Sequence, residues 1–153
     1  MIVVSDTSPI NYLVLIEESD LLPQLFGRVI IPQAVLDELQ KTGTPEPVKN
    51  WINLRHDWLK VQNATTIDQT IILGAGEREA ISLAKEINAD LILIDDRKAR
   101  KLAIERGLNV VGTLNILKSA SKRDFVKLAD AIQKLQKTNF RIAPKLLIEL
   151  LKT

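Results

Sequence analysis

The chain has no cysteine, one histidine and few aromatic side chains, and each shortage excludes a kind of site. Without cysteine it can form neither a disulfide framework nor a thiolate metal centre, which agrees with a reducing compartment. His56 alone cannot build the imidazole-rich sites that zinc prefers. Because aromatic residues make up only 4% of the chain, the core is expected to consist of Leu, Ile, Val and Ala.

Long apolar runs are also missing. No stretch approaches the roughly 20 apolar residues that cross a bilayer, and the N-terminus has no basic segment typical of a signal peptide. We therefore expect a cytoplasmic protein with no membrane partner. At 153 residues, with 46% apolar and 26% charged side chains, the composition predicts a single domain over residues 1–153.

Short apolar runs alternate with segments of helical pattern along the whole chain, which predicts an α/β fold with a mainly parallel sheet. The strongest strand candidate is the run LILI at 91–94, whose four apolar residues suit a strand covered on both faces. The predicted strands are 2–4, 29–31, 58–61, 91–94 and 109–111. The predicted helices are 7–16, 21–26, from 32 to the turn at Gly43, 45–51, 77–87, 97–106, from 113, 124–137 and 144–151.

Acidic residues follow two of these strands directly. Asp6 comes after the first strand, and the Asp95–Asp96 pair comes after the strongest one. Parallel strands place their carboxyl ends at one edge of the sheet, where ligands of open α/β folds bind. Glu38 and Glu77 lie on helices that flank these strands. Each acid taken singly could instead cap a helix or lie exposed on one.

A cluster of carboxylates at one edge would favour a divalent cation. Two carboxylates about 5 Å apart repel by roughly 3 kcal/mol at an effective dielectric constant of 20, and a hard cation removes this repulsion. Mg²⁺ and Mn²⁺ prefer oxygen ligands, and water on such an ion becomes a better nucleophile towards phosphate. The acids therefore predict an Mg²⁺ or Mn²⁺ site.

Four segments, in this order, carry a resemblance to a known family: IVVSDTSP at 2–9, IPQAVLDEL at 31–39, GEREAISLA at 76–84 and LIDDRKAR at 93–100. The chain resembles the PIN domains, metal-dependent ribonucleases that include the VapC toxins. Within them it is similar to a subgroup of short prokaryotic proteins. The resemblance covers nearly the whole chain.

The resemblance implies a three-layer α/β/α fold with a five-stranded parallel sheet, and it implies roles for individual residues. Asp6 and Glu38 would be metal ligands, and the wider predicted metal set adds Glu77, Asp95 and Asp96. The third acid matches Glu77, with Glu79 as the rival, and the fourth matches Asp96, with Asp95 beside it. Asp6, Glu38, Glu77 and Asp96 would be the catalytic set, supported by the hydroxyls of Thr7 and Ser8. Many toxins of the family have Asp at the third position, so Glu77 is a departure.

Charge is divided unevenly along the chain. Residues 1–96 hold 15 acidic and 7 basic side chains, whereas residues 97–153 hold 4 acidic and 14 basic ones. A basic run follows the acidic pair directly and could bind RNA phosphate. The alternative is a solvated helix face. The run comprises Arg97, Lys98, Arg100 and Lys101.

The leading hypothesis is an Mg²⁺- or Mn²⁺-dependent endoribonuclease, the toxin of a toxin–antitoxin pair. It implies an RNA substrate, a cognate antitoxin and a homodimer. A second hypothesis is a non-catalytic PIN-like module that binds RNA or protein. A third is an Mg²⁺ phosphohydrolase with Asp6 as phosphoryl acceptor, which the lack of a second Asp two residues on disfavours.

Overall fold

The computed structural model describes residues 1–152, which form a parallel sheet and the helices around it. The strands are β1 (Val3–Ser5), β2 (Val29–Ile31), β3 (Leu59–Val61), β4 (Leu91–Leu93) and β5 (Val110–Val111). The helices are α1 (Thr7–Leu15), α2 (Leu21–Phe26), α3 (Gln33–Gln40), α4 (Glu46–Asn53), α5 (Ala75–Glu86), α6 (Arg97–Glu105), α7 (Thr113–Lys122), α8 (Leu128–Gln136) and α9 (Pro144–Leu151).

The sheet has the strand order β3-β2-β1-β4-β5, and all of its pairs are parallel. Val4 lies opposite Ile30 on one side and Ile92 on the other. The chain first builds outward from β1 through β2 to β3 and then returns to place β4 on the free side of β1. Strand order therefore reverses between β1 and β4, and a crevice opens beyond the carboxyl ends of two such strands. The predicted α/β fold with a five-stranded parallel sheet is confirmed.

Neighbouring residues of each central strand pack into different cores. Val3 and Leu93 belong to a core beneath α1, α2, α4, α7 and α8. Val4, Ile92 and Ile94 belong to a second core beneath α5 and α6. Because side chains alternate along a strand, a strand covered on both faces needs an unbroken apolar run, as the sequence at 91–94 predicts. The three layers follow from this arrangement.

Three predicted helix boundaries were wrong. α3 ends at Gln40 rather than near Gly43, because Lys41 already has an extended backbone. α5 begins at Ala75 and includes Gly76, which a glycine-based breaker rule assigns to the preceding turn. α8 begins at Leu128 rather than 124, because Asp124 takes a positive φ of 59° and ends the turn after α7.

The terminal helix α9 lies on the surface. Leu146 and Ile148 are exposed on it, whereas Leu150 is buried. Over the described range, up to Lys152, no helix combines the length and apolarity needed to cross a membrane.

Candidate active site

A cleft of about 410 Å³ opens at the carboxyl ends of β1 and β4, where strand order reverses. Four acidic side chains from four different elements line it. Thr7 and Ser8 line it as well, together with Asn11 and Lys41. The four acids are Asp6, Glu38, Glu77 and Asp96.

Asp6 lies at the base of the cleft and is 4% exposed. Its backbone N–H donates to the carbonyl of Leu93 at 2.9 Å, which ties the end of β1 to β4. Its Oδ1 atom is buried and has no hydrogen-bond partner within residues 1–152. Burial raises the pKa of Asp6 from 3.8 to about 7, and the charges of Glu77, Glu38 and Asp95 add to the increase. Asp6 therefore has a buried carboxylate oxygen to which no described residue donates a hydrogen bond.

Glu38 is fixed in the cleft by two neighbours. The hydroxyl of Thr7, a residue with a predicted supporting role, donates to its Oε2 atom. Gly76 packs against the same carboxylate, since a Cβ atom at position 76 would overlap Oε2. Only glycine leaves room for this carboxylate beside the first turn of α5.

Glu77 and Glu79 lie on the same turn of α5 but line different clefts. Glu77 is half-buried beside Asp6, and its pKa is raised by burial first and then by the charge of Asp96. Glu79 lies in a separate depression with Asp37 on α3. Glu38 borders both spaces. The arrangement favours Glu77 over Glu79 as the third acid.

Asp95 and Asp96 also have different surroundings. Both oxygens of Asp95 are bound by Thr113, whose backbone N–H donates to Oδ1 at 2.7 Å and whose hydroxyl donates to Oδ2 at 2.6 Å. Burial raises the pKa of Asp95 despite these bonds. Asp96 instead lines the cleft and caps α6, accepting a 2.9 Å bond from the N–H of Ala99. Asp95 thus anchors α7, and Asp96 faces the cleft.

None of the four predicted RNA-binding residues lines the acid cleft. Arg97, Arg100 and Lys101 line a neighbouring groove, whereas Lys98 is exposed and lines neither. The Nη1 atom of Arg100 donates to the carbonyl of Ile94 at 3.1 Å, so this side chain supports the end of β4.

Sequence analysis missed three residues at the cleft. Asn11 lies one turn after Thr7 on α1, and Lys41 lies three residues after Glu38. The helical spacing from Thr7 could have found Asn11. The predicted helix at 77–87 leaves Gly76 outside it. The contact of Gly76 with Glu38 depends on how α3 and α5 pack together, which no local pattern shows.

The oxygen donors of the cleft fit a hard divalent cation, although the four carboxylates are too far apart to bind one ion together. No group of three or more acidic or histidine side chains in the described residues could hold a metal ion as placed. The cleft nevertheless offers four carboxylates and no nitrogen or sulfur ligand from His or Cys. The unpartnered Oδ1 of Asp6 is the atom that such an ion would satisfy. This donor chemistry suits Mg²⁺ or Mn²⁺.

Comparison with known proteins agrees with the fold and the resemblance. A family model, DUF3368, described as a PIN domain, matches residues 2–153. No match was found among curated proteins. Among solved structures, the chain is similar to a PilT N-terminus domain protein from the hyperthermophilic archaeon Sulfolobus solfataricus P2. The TM-score is 0.58 at 22% identity, over 78% of this chain and 93% of that one.

The structural likeness shows the fold, and the family model shows the membership. PIN domains are generally nucleases and generally use divalent metals. The match spans all four acidic segments and every strand of the sheet. The chain belongs to the PIN-domain family.

Proposed function

We propose that the chain is an Mg²⁺- or Mn²⁺-dependent endoribonuclease that hydrolyses RNA phosphodiester bonds in the acid cleft. The main support is the burial and bonding of Asp6. Asp6 is buried at the point where strand order reverses, and its Oδ1 atom has no partner within the described residues. A buried, unpaired carboxylate is costly, and three further acids around it increase the cost. A cation would offset both effects.

The residues of the cleft have different proposed roles. Asp6, Glu38, Glu77 and Asp96 would hold the metal, with Asp95 outside this set because Thr113 occupies both of its oxygens. When bound, the metal would activate water and neutralise charge on the phosphate. Thr7 orients the Glu38 carboxylate for holding the metal by donating to Oε2. Ser8 lines the cleft and is assigned a supporting contact to substrate or water.

The test is cleavage of a labelled single-stranded RNA with Mg²⁺, Mn²⁺ or EDTA. Cleavage is expected with either metal and not with EDTA, and Asp6→Asn and Asp96→Asn should each abolish it. Glu79→Gln is the control, because Glu79 is an acid of α5, two residues after Glu77, that lies outside the cleft. Equal cleavage by the wild type and both Asn variants would refute the assignment.

A second candidate is a PIN-like module that binds RNA or protein without catalysis. The observation in its favour is that the acids of the described chain do not converge into a metal-holding group. Titration calorimetry with Mn²⁺ separates the two. The nuclease should bind Mn²⁺ in the wild type and lose binding in Asp6→Asn, whereas the module should bind none in either.

The biological role we propose is that of a toxin with a cognate antitoxin, acting as a homodimer in the cytoplasm. The support is the similarity to VapC-like PIN proteins. Induced expression of the chain alone should arrest growth, and Asp6→Asn should relieve the arrest. Light scattering of the purified protein tests the dimer.

A further inference from the structure

A groove of about 610 Å³ lies at the turn between β4 and α6, where it is lined by the residues on either side of Asp96. Asp95 and Arg97 line the groove, and Asp96 between them lines the cleft. A chain bound in the cleft can therefore enter the groove across a single turn. The C-terminal segment closes the other side of the groove with Phe140 and Arg141.

The rim of this groove carries three cations that form no ion pair with another described residue. Arg97, Lys101 and Arg141 are exposed and form no ion pair within the described part of the chain. Asp95 is the acidic residue among the described residues that line the groove, and Thr113 occupies both of its oxygens. The rim therefore attracts an anion.

The floor of the same groove is apolar and partly open to solvent. Ile104 is 58% exposed and Leu146 is 41% exposed, so both present apolar surface to solvent in this groove. Phe140 is held in place by an edge-to-face contact with Tyr12, with ring centroids 4.8 Å apart. Sites for single-stranded nucleic acid combine these features, with a cationic groove for the backbone and apolar or aromatic side chains for the bases.

We propose that single-stranded RNA extends from the acid cleft through this groove. Its phosphates contact Arg97, Lys101 and Arg141, and its bases lie against Phe140 and Leu146. The inference rests on the proposed ribonuclease function and adds Arg141 and Phe140, which the basic run at 97–101 does not contain. An acidic peptide would suit the rim, but the single-residue step from Asp96 in the cleft to Arg97 in the groove favours the RNA.

A larger groove of about 660 Å³ also adjoins the cleft, through Asn11 and Gly43, but it carries less free charge. Of its two lysines, Lys134 lies 3.8 Å from the carboxylate of Glu18. Glu17 lines the same groove and offsets the charge of Lys137. The three cations of the other groove, which have no ion-pair partner within residues 1–152, therefore favour the path through it.

The rim is tested by fluorescence anisotropy of a labelled 12-nucleotide RNA in EDTA, so that no cleavage occurs. Each lost phosphate contact should lower affinity about fivefold at 0.1 M salt and flatten the plot of log K against log salt by about 0.7. Arg141→Ala should show both changes, and Arg97→Ala with Arg141→Ala should weaken binding about 25-fold. Lys98→Ala is the matched control, because Lys98 is an exposed cation of α6 outside the groove.

The floor is tested by Phe140→Leu, which keeps an apolar side chain but removes the ring. Affinity should fall about fivefold with an unchanged salt slope, because stacking involves no counterion release. Thermal denaturation of the variant shows whether the fold persists, and Phe125→Leu, at an exposed ring outside the groove, is its control.

The outcomes separate this inference from the proposed function. RNA affinity and salt slope of Arg141→Ala equal to those of Lys98→Ala would overturn the groove while metal-dependent cleavage still stood. Competition by poly-glutamate as strong as that by RNA of equal charge would overturn the role of the floor. If the wild type neither binds nor cleaves RNA, both proposals fail together.

Discussion

At the scale of single residues, the buried charge of Asp6 is expected to lower the stability of the metal-free protein while it serves the proposed metal site. Its folded pKa of about 7 lies above the ordinary value of 3.8, so the folded protein binds this proton more tightly than the unfolded chain does. Stability is therefore expected to fall as pH rises from about 4 to 7. Asp6→Asn removes the buried charge and should raise the free energy of unfolding of metal-free protein at pH 8 by about 1–4 kcal/mol.

Chemical denaturation in EDTA at pH 4 and pH 8 measures this difference. The gain should be near zero at pH 4, where Asp6 is protonated in the folded state, and largest at pH 8. Asp37→Asn, at an exposed acid of α3, should show no such dependence. A less stable Asp6→Asn at pH 8 would mean that the carboxylate stabilises the metal-free fold.

Gly76 is predicted to position Glu38. A Cβ atom at 76 would overlap the Glu38 carboxylate, so Gly76→Ala should displace it and lower RNA cleavage by about tenfold or more with little loss of fold. Gly74→Ala is the control, because a Cβ atom there meets Glu77 Oε1 at an ordinary 3.5 Å. Cleavage rates and thermal midpoints of both variants provide the measurement, and equal rates would contradict the role of Gly76.

At the scale of elements, one side chain joins β4 to α7. The hydroxyl of Thr113 is fully buried and donates to Asp95. Thr113→Val leaves one carboxylate oxygen unsatisfied and should lower the free energy of unfolding by about 1–3 kcal/mol. Thr113→Ser keeps the hydroxyl and should lose less. Urea titration of the three proteins tests this, and a Val variant as stable as the Ser variant would contradict it.

Element types could be predicted from the sequence, and element ends often could not. The apolar run at 91–94 and the alternation of strand and helix patterns come from local chemistry, so all five strands were predicted. The end of α3 and the start of α5 depend on contacts between them, since Gly76 serves the packing of Glu38 rather than a turn. The distinction between Asp95 and Asp96 depended on Thr113, a residue 18 positions away.

At the scale of the whole molecule, one sheet is shared by two cores. The tryptophans Trp51 and Trp58 pack against the first core, and Ile81 is fully buried in the second. Ile81→Ala should cost about 2–5 kcal/mol. If residues 1–153 fold as a single domain, tryptophan fluorescence and far-UV circular dichroism should report the same lowered midpoint. A fluorescence midpoint that stays at the wild-type value would show that the two cores unfold independently.

The path of a bound polymer was the least predictable feature. The sequence places basic residues after Asp96 but does not tell which of them share a groove. Arg141 enters that groove only because the segment after α8 returns to α6, and Lys98 misses it because of its position on the helix. Such contacts depend on tertiary packing, which local sequence patterns do not predict.

The reversal of strand order between β1 and β4 also has a consequence for biosynthesis. Asp6 leaves the ribosome early, whereas Asp96 is translated 90 positions later and reaches its neighbour only when β4 pairs with β1. A partial chain with β1 to β3 lacks both Glu77 and Asp96. The cleft therefore cannot assemble on a nascent chain until more than half of it has been translated, and a truncated product would lack the acid set.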